Sequence, residues 1–280
     1  SSTPSIDTLE QPNLRLLRSR CSAANTLATK AGLLLISQLD QQLGITDQLA
    51  QCFDDNRDQR FVEHSLPELL CQRICGLIAG FEDLNDQEVL RCDPLIVATV
   101  GKTEPLGENC IGENKSHPIS GKSTLNRLEI TNAQTMNGKI STHYHKIYTK
   151  HANIEKTLIQ LGTQDLPKDT SEIILEFDAT DDLIQGQQED CYFHGYYHNY
   201  CYVPLYAFAD DITFYAKLRT CDGCDGTVEA LESIVPQLLD RFPRARIIVR
   251  GDSGLARETI MKWCEDYDCN CCLGMAKTLV

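Results

Sequence analysis

Two aspartates end apolar runs in the second half of the chain. Glu172-Ile173-Ile174-Leu175-Glu176-Phe177 reads as a β-strand closing on Asp178. Ala245 to Val249 reads as another, closing on Arg250-Gly251-Asp252. In open α/β sheets, sites form beyond the carboxyl ends of strands. Two carboxylates converging there suit Mg²⁺ or Mn²⁺, hard ions that take oxygen ligands and keep waters for phosphate groups. A pair of such ions about 4 Å apart can activate a nucleophile and stabilise the leaving oxygen in phosphoryl transfer. Taken singly, each aspartate reads first as a turn residue; their shared place in one strand order strengthens the metal reading. Asp181 and Asp182 are close rivals of Asp178, which is preferred because it stands at the strand terminus.

A second group of residues suits phosphate. Lys122, Ser123, Thr124, Asn126 and Arg127 fall at the start of an expected helix, with Ser123 as a weak N-cap. Backbone N–H groups and the helix dipole favour an anion at such a place. Lys139, His143, Lys146, Lys150 and Lys156 follow in the same stretch and could track a phosphate backbone or form a solvated surface. Other patterns carry less. Gly121-Lys122-Ser123 evokes a phosphate-binding loop, but Ser116 stands where that motif needs glycine. Cys221 and Cys224 could join Cys269, Cys271 or Cys272 around zinc, or act as a redox pair, yet the paired spacing occurs on one side only. His143, His145 and His151 read as solvated rather than as a metal site. The aromatic run from Tyr192 to Tyr197 could stack on bases, although packing within a hairpin is the plainer reading.

The elements that must position these residues fall into two classes. The first hundred residues read as helical: Leu33, Leu34, Ile36, Leu39 and Leu43 recur at helical spacing up to Gly44. Thr46 could cap a short helix through Leu49 and Phe53. A third helix starts at Ser65, with Pro67 tolerated in its first turn, and runs to Gly80; a fourth spans Asp83 to Leu90. Residues 101–120 read as a loop punctuated by glycine and proline. From Ser171 the pattern becomes β-β-β-α-β-α-β. Its strands are 172–177, 200–208, 212–218, 245–249 and 271–275, and its helices run from Thr227 to Phe242 and from Leu255 to Trp263. Pro204 within the second strand suggests an edge or a bulge, and Pro236 a kink.

Composition bounds the rest. The 280 residues are 42% apolar, enough for a sizeable core in one large domain or two small ones. The formal charge of −14 speaks against nucleic acid, but it is unevenly placed. Residues 1–101 carry a net −6, residues 102–160 a net +3 with four histidines, and residues 161–280 a net −11. The middle segment is the basic one, and local sign governs docking on phosphates. No run reaches the length of a membrane span. No export signal precedes the 14 cysteines, so reduced thiols and a cytoplasmic setting are expected.

Several blocks together resemble a known family. They are Phe177-Asp178-Ala179-Thr180-Asp181-Asp182, Gly186-Gln187-Gln188-Glu189, Gly195-Tyr196-Tyr197, Tyr200 to Tyr206, and Arg250-Gly251-Asp252-Ser253-Gly254-Leu255-Ala256-Arg257. Upstream, His64 to Arg73, Gly80 to Asp86 and Ser123 to Glu129 extend the match, so that it covers roughly Ala24 to Val280. The pattern resembles the DDE transposases of bacterial insertion sequences, the transposase DDE domain group 1.

The resemblance implies an α/β fold with a ribonuclease H-like catalytic core, incomplete here, after a mainly α-helical N-terminal region. It implies a helical DNA-binding region over 1–100, a basic DNA-contacting segment over 101–170 and the core over 171–280. Asp178 and Asp252 would be catalytic and bind Mg²⁺ or Mn²⁺; Lys122, Ser123, Thr124, Asn126, Arg127, Lys139, Lys146 and Lys150 would contact DNA. The partners implied are double-stranded DNA, as terminal inverted repeats and target, and a second copy of the chain. The family's third carboxylate is a glutamate on a helix beyond the fifth strand. Glu258 and Glu265 precede that strand, and the sequence stops soon after it. The expectation is therefore a truncated chain that does not carry out strand transfer by itself. A catalytically dead DNA-binding remnant and a metal-dependent nuclease of the same fold are the alternatives.

Overall fold

Helix α1 (Gly32–Leu43) turns Leu33 and Ile36 into an apolar cluster, while Leu39 and Leu43 of the expected stripe stay exposed. The computed structural model describes residues 32–104, 106, 117–129, 146–184, 192–195, 198–219 and 226–275. Two compact units divide the chain at 150/151.

In the first unit, α2 (Ile45–Ala50) follows Gly44, whose left-handed φ of 65° makes the sharp turn between helices. Thr46 is therefore inside α2 rather than capping it, and its amide donates to Asp40 Oδ1 at 2.8 Å. The helix stops before Phe53, which lies in β1 (Phe53–Asp55). A 3₁₀ turn (Gln59–Phe61) leads to α3 (Leu66–Ile78), which begins as expected. Ser65 Oγ accepts from the Glu68 amide, and the Glu68 carboxylate accepts from the Ser65 amide. The expected fourth helix is a 3₁₀ turn (Leu84–Asp86) running into the short α4 (Gln87–Leu90). Helix α5 (Pro94–Thr99), capped by Asp93, was not anticipated. Helix α6 (Lys122–Glu129) starts one residue before Ser123, so Ser123 is not its cap. Strand β2 (Ile147–Thr149) pairs antiparallel with β1.

The side chain of Gln72 ties these pieces together. It donates to the Ser120 carbonyl (2.8 Å) and to Gln87 Oε1 (3.1 Å), and accepts from the Ser120 amide and hydroxyl. Fully buried polar groups are tolerated only when satisfied in this way.

In the second unit, α7 (His151–Asp165) packs on strand β8 (Ile212–Lys217), so the unit begins inside the segment 101–170 marked out by its basic charge. Five strands form one sheet in the order β10-β9-β3-β7-β8. They are β3 (Glu172–Ala179), β7 (Leu205–Ala209), β8 (Ile212–Lys217), β9 (Arg246–Gly251) and β10 (Asn270–Leu273). β3, β7 and β8 are antiparallel; β9 and β10 run parallel to β3. Helix α8 (Thr227–Arg241) continues through Pro236, and α9 (Glu258–Asp266) precedes β10.

The expected second strand is two strands. β6 (Asn199–Tyr202) joins a small sheet with β4 (Asp182–Leu183) and β5 (Tyr192–His194), and Val203-Pro204 breaks it from β7. Proline removes a ladder donor, which fits the break; β7 itself is central, and a bulge lies at Ala207/Phe208.

Alternation sets the core. Ile173, Leu175 and Phe177 of β3, Leu205 and Ala207 of β7, and Ile247 and Val249 of β9 share one buried cluster with Ile159 of α7, Leu231, Ile234 and Leu238 of α8, and Ile260 and Trp263 of α9. The intervening residues Ile174, Glu176 and Asp178 lie on the other face of β3. On that face Glu176 pairs with Arg250, and Tyr206 stacks on Phe208 at 5.9 Å. No described helix is long and apolar enough to cross a membrane.

Candidate functional site

Asp178 and Asp252 are brought side by side by the β3–β9 ladder. The last register pair is Phe177 with Gly251, and one residue farther along both chains come Asp178 and Asp252. Neighbouring strands run about 4.8 Å apart, so the two residues lie side by side at one end of the sheet. Both residues are exposed. Asp178 is the penultimate residue of β3 and pairs with Tyr206, so it lies within the strand rather than just after it. Asp252 follows β9 and turns back on itself, its Oδ1 accepting from the Gly254 amide at 2.9 Å. Asp181 falls between strands, and Asp182 lies in β4, opposite Tyr202.

Oxygen donors of this kind, exposed, one on a strand and one in the turn after the neighbouring strand, fit a hard divalent cation. Asp178 and Asp252 would hold it. Among the described residues no histidine, cysteine or further carboxylate completes a three-ligand group. Glu258 and Glu265 sit in α9.

One positioning residue has no signal in the sequence. The Gly274 amide donates to the Gly251 carbonyl at 3.0 Å. A Cβ at Gly274 would lie 2.9 Å from the Ser253 nitrogen and 3.1 Å from the Asp252 carbonyl carbon. The bare glycine therefore lets the chain after β10 lie against the backbone of Asp252.

The basic residues of the first unit separate into three groups. At the start of α6 the place expected for phosphate is filled from within: Glu88 Oε1 accepts from the Lys122 amide at 2.9 Å, and Lys122 Nζ reaches Asn85 Oδ1 at 3.0 Å. That amide hydrogen bond is the main cause holding the Glu88 carboxyl below its usual range, helped by Arg91. Ser123 and Asn126 are exposed on the same helix. Lys150 pairs with Asp54 at 2.5 Å on the surface. Lys139 lies outside the described residues, as do His143, His145, Cys221 and Cys224. Thr124, Arg127 and Lys146 form the third group. With Arg57, Asp58, Phe61, Val62, Glu63, His64 and Ile147 they line a cavity of about 490 Å³.

The Glu88 contact sets a pH dependence. A carboxyl whose folded pKa is depressed contributes stability above its unfolded value, near 4.3, and loses it as pH falls through the folded value. Amides of α6 are therefore expected to lose protection from hydrogen exchange as pH falls below the ordinary carboxylate range, and Glu88→Ala to show that loss already at neutral pH. Unchanged exchange in Glu88→Ala would rule out the cap.

Two remaining signals resolve simply. Phe193 and Tyr200 meet across β5 and β6 at 5.4 Å, edge to face, so hairpin packing holds there with both rings half exposed; Tyr196 and Tyr197 lie outside the described residues. His151 opens α7.

A family model described as transposase DDE domain, group 1, matches residues 22–280. Neither a curated protein nor a solved structure matches the chain.

Proposed function

The chain belongs to the transposase DDE domain group 1 family, and we propose that it is a transposase chain whose second unit carries a ribonuclease H-like core, with Asp178 and Asp252 as its metal-binding catalytic carboxylates. The observation that carries this reading is the register of β3 and β9, which sets the two aspartates side by side. The order β10-β9-β3-β7-β8, an antiparallel run of three followed by two parallel strands, supports the core assignment.

The reaction is phosphoryl transfer in two in-line displacements: hydrolysis at a transposon end, then attack of the freed 3′-hydroxyl on target DNA. Bound Mg²⁺ or Mn²⁺ would supply charge neutralisation at phosphorus and an activated nucleophile. Asp178 and Asp252 would hold the ions; their exposure leaves the site open to a DNA backbone. Terminal repeats are bound by residues 1–100 and the basic stretch 101–170, with Thr124, Arg127 and Lys146 as the contacts the cavity favours. The active complex on DNA is a homodimer in a bacterial cytoplasm.

A second reading, a DNA-binding protein without chemistry, is favoured by one observation. Asp178 and Asp252 have no third ligand among the described residues. The expected outcome for this chain is duplex binding that weakens steeply with salt and no Mg²⁺-dependent strand transfer. Absence of duplex binding at low salt would sink the transposase reading, and strand transfer by this chain would remove the second reading.

A further inference from the structure

We propose that the cavity lined by Arg57, Phe61, His64, Thr124, Arg127 and Lys146 is a single-nucleotide pocket. It takes one unstacked nucleotide of a DNA strand, with the phosphate against Arg127 and Lys146 and the base against Phe61. The proposal rests on the DNA-processing reading above and adds which part of the DNA this unit holds.

The size fits. A volume of about 490 Å³ lies in the range of roughly 300–1,000 Å³ that accommodates ligands of nucleotide size. A base still paired and stacked in a duplex cannot enter a recess of this size, so the occupant must be extruded or at a single-stranded end.

The walls are charged in the right sense. Arg57, Arg127 and Lys146 line it with Asp58 and Glu63; Arg57 is paired with Asp55 and Asp58 with Arg60, so the positive excess comes from Arg127 and Lys146 over Glu63. Asp58 is already engaged, bound at 2.7 Å by Arg60. Arg57 is locked in place: its guanidinium donates to both oxygens of Asp55, at 2.8 and 2.6 Å, and to the His64 carbonyl at 3.0 Å. A fixed cation is preorganised and loses little freedom when an anion arrives. Thr124 and Arg127 stand three residues apart on α6, so hydroxyl and guanidinium share one face.

A further feature points to an occupant with an aromatic part. Phe61 is 80% exposed on its 3₁₀ turn, with Arg60 over its ring at 5.6 Å. A base can stack on such a ring.

The test uses the full chain and three probes: a blunt duplex, the same duplex with a three-nucleotide overhang containing 2-aminopurine, and inorganic phosphate. Wild-type protein is expected to bind the overhang duplex about tenfold more tightly than the blunt one, with a change in 2-aminopurine fluorescence. In Phe61→Ala that preference falls towards one; in Phe61→Trp it persists; in Arg127→Gln and Lys146→Gln the fluorescence change is lost. Phe61 is exposed, so Phe61→Ala should melt like the wild type.

Blunt-duplex binding with no overhang preference overturns the pocket and leaves the DNA reading standing. Failure to bind either duplex overturns both. Inorganic phosphate that removes the overhang preference at the same concentration in wild type and Phe61→Ala would make the cavity a simple anion site, which also overturns the proposal.

Discussion

Asp178→Asn and Asp252→Asn are each expected to weaken Mn²⁺ binding to the chain at least tenfold, while the melting temperature stays close to that of the wild type. Asparagine keeps the shape of aspartate and removes its charge. Both side chains are exposed, so no core contact is lost. Altering groups that only support a ligand already costs 10–100-fold in metal affinity, and loss of a direct ligand costs no less. With two carboxylates in place the starting affinity is that of a weak divalent site, with a Kd of about 10⁻³ M. Water proton relaxation by Mn²⁺ reads this range. Asp181→Asn and Asp182→Asn serve as the comparison, and their binding should hold. If either of these loses the ion while Asp178→Asn keeps it, the assignment moves to the β3–β4 connection.

The second large effect comes from a residue with no chemistry of its own. Gly274→Ala would place a methyl group 2.9 Å from the Ser253 nitrogen and 3.1 Å from the Asp252 carbonyl carbon. These are backbone atoms, which cannot swing aside as the end of a flexible side chain can. Either the loop after β9 moves, carrying Asp252 with it, or β10 shifts against β9. The expected result is a destabilisation of about 1–3 kcal/mol together with Mn²⁺ binding weakened about tenfold, with the circular dichroism of the fold retained. Gly195→Ala, where nothing lies within 4 Å, is the control and should leave both quantities alone. Wild-type Mn²⁺ binding in Gly274→Ala would show that Asp252 is positioned by its own turn and not by the chain packed on it.

Asp178 and Asp252 are plain in the sequence, and Gly274 is not. The strands carrying Asp178 and Asp252 are legible because Ile173, Leu175 and Phe177, and Ile247 and Val249, alternate with residues that face away from the core. Helix α8 is legible from its stripe of Val228, Leu231, Ile234, Val235 and Leu238. Ser65 and Glu68 announce the start of α3 by their spacing alone. Local pattern fails where contacts come from afar. Every residue of α5 after Pro94 is buried, so no period marks it. The strands around Tyr202 are short, and Pro204 divides what reads as one run. Gly274 matters only through the backbone of a neighbouring loop. Glu88 reaches the amide of Lys122 from 34 residues away, and a helix start that looked open to phosphate is thereby closed. Arg57 and His64 enter the cavity from a turn with no helical or strand period, while Arg127 and Lys146 were visible as charge.

The β3–β9 ladder also bears on how the chain acquires its chemistry. β7 and β8 meet across the tight turn Asp210-Asp211, so their pairing closes a very short loop. Glu172 and Arg246, by contrast, stand 74 residues apart and must find each other through a long loop closure. The ladders that join β3, β7 and β8 use no residue after Lys217, whereas the carboxylate pair exists only once β9 has docked. The sheet's buried face is covered by helices that flank β9, so the pair of aspartates is assembled by the same long-range docking that completes the core.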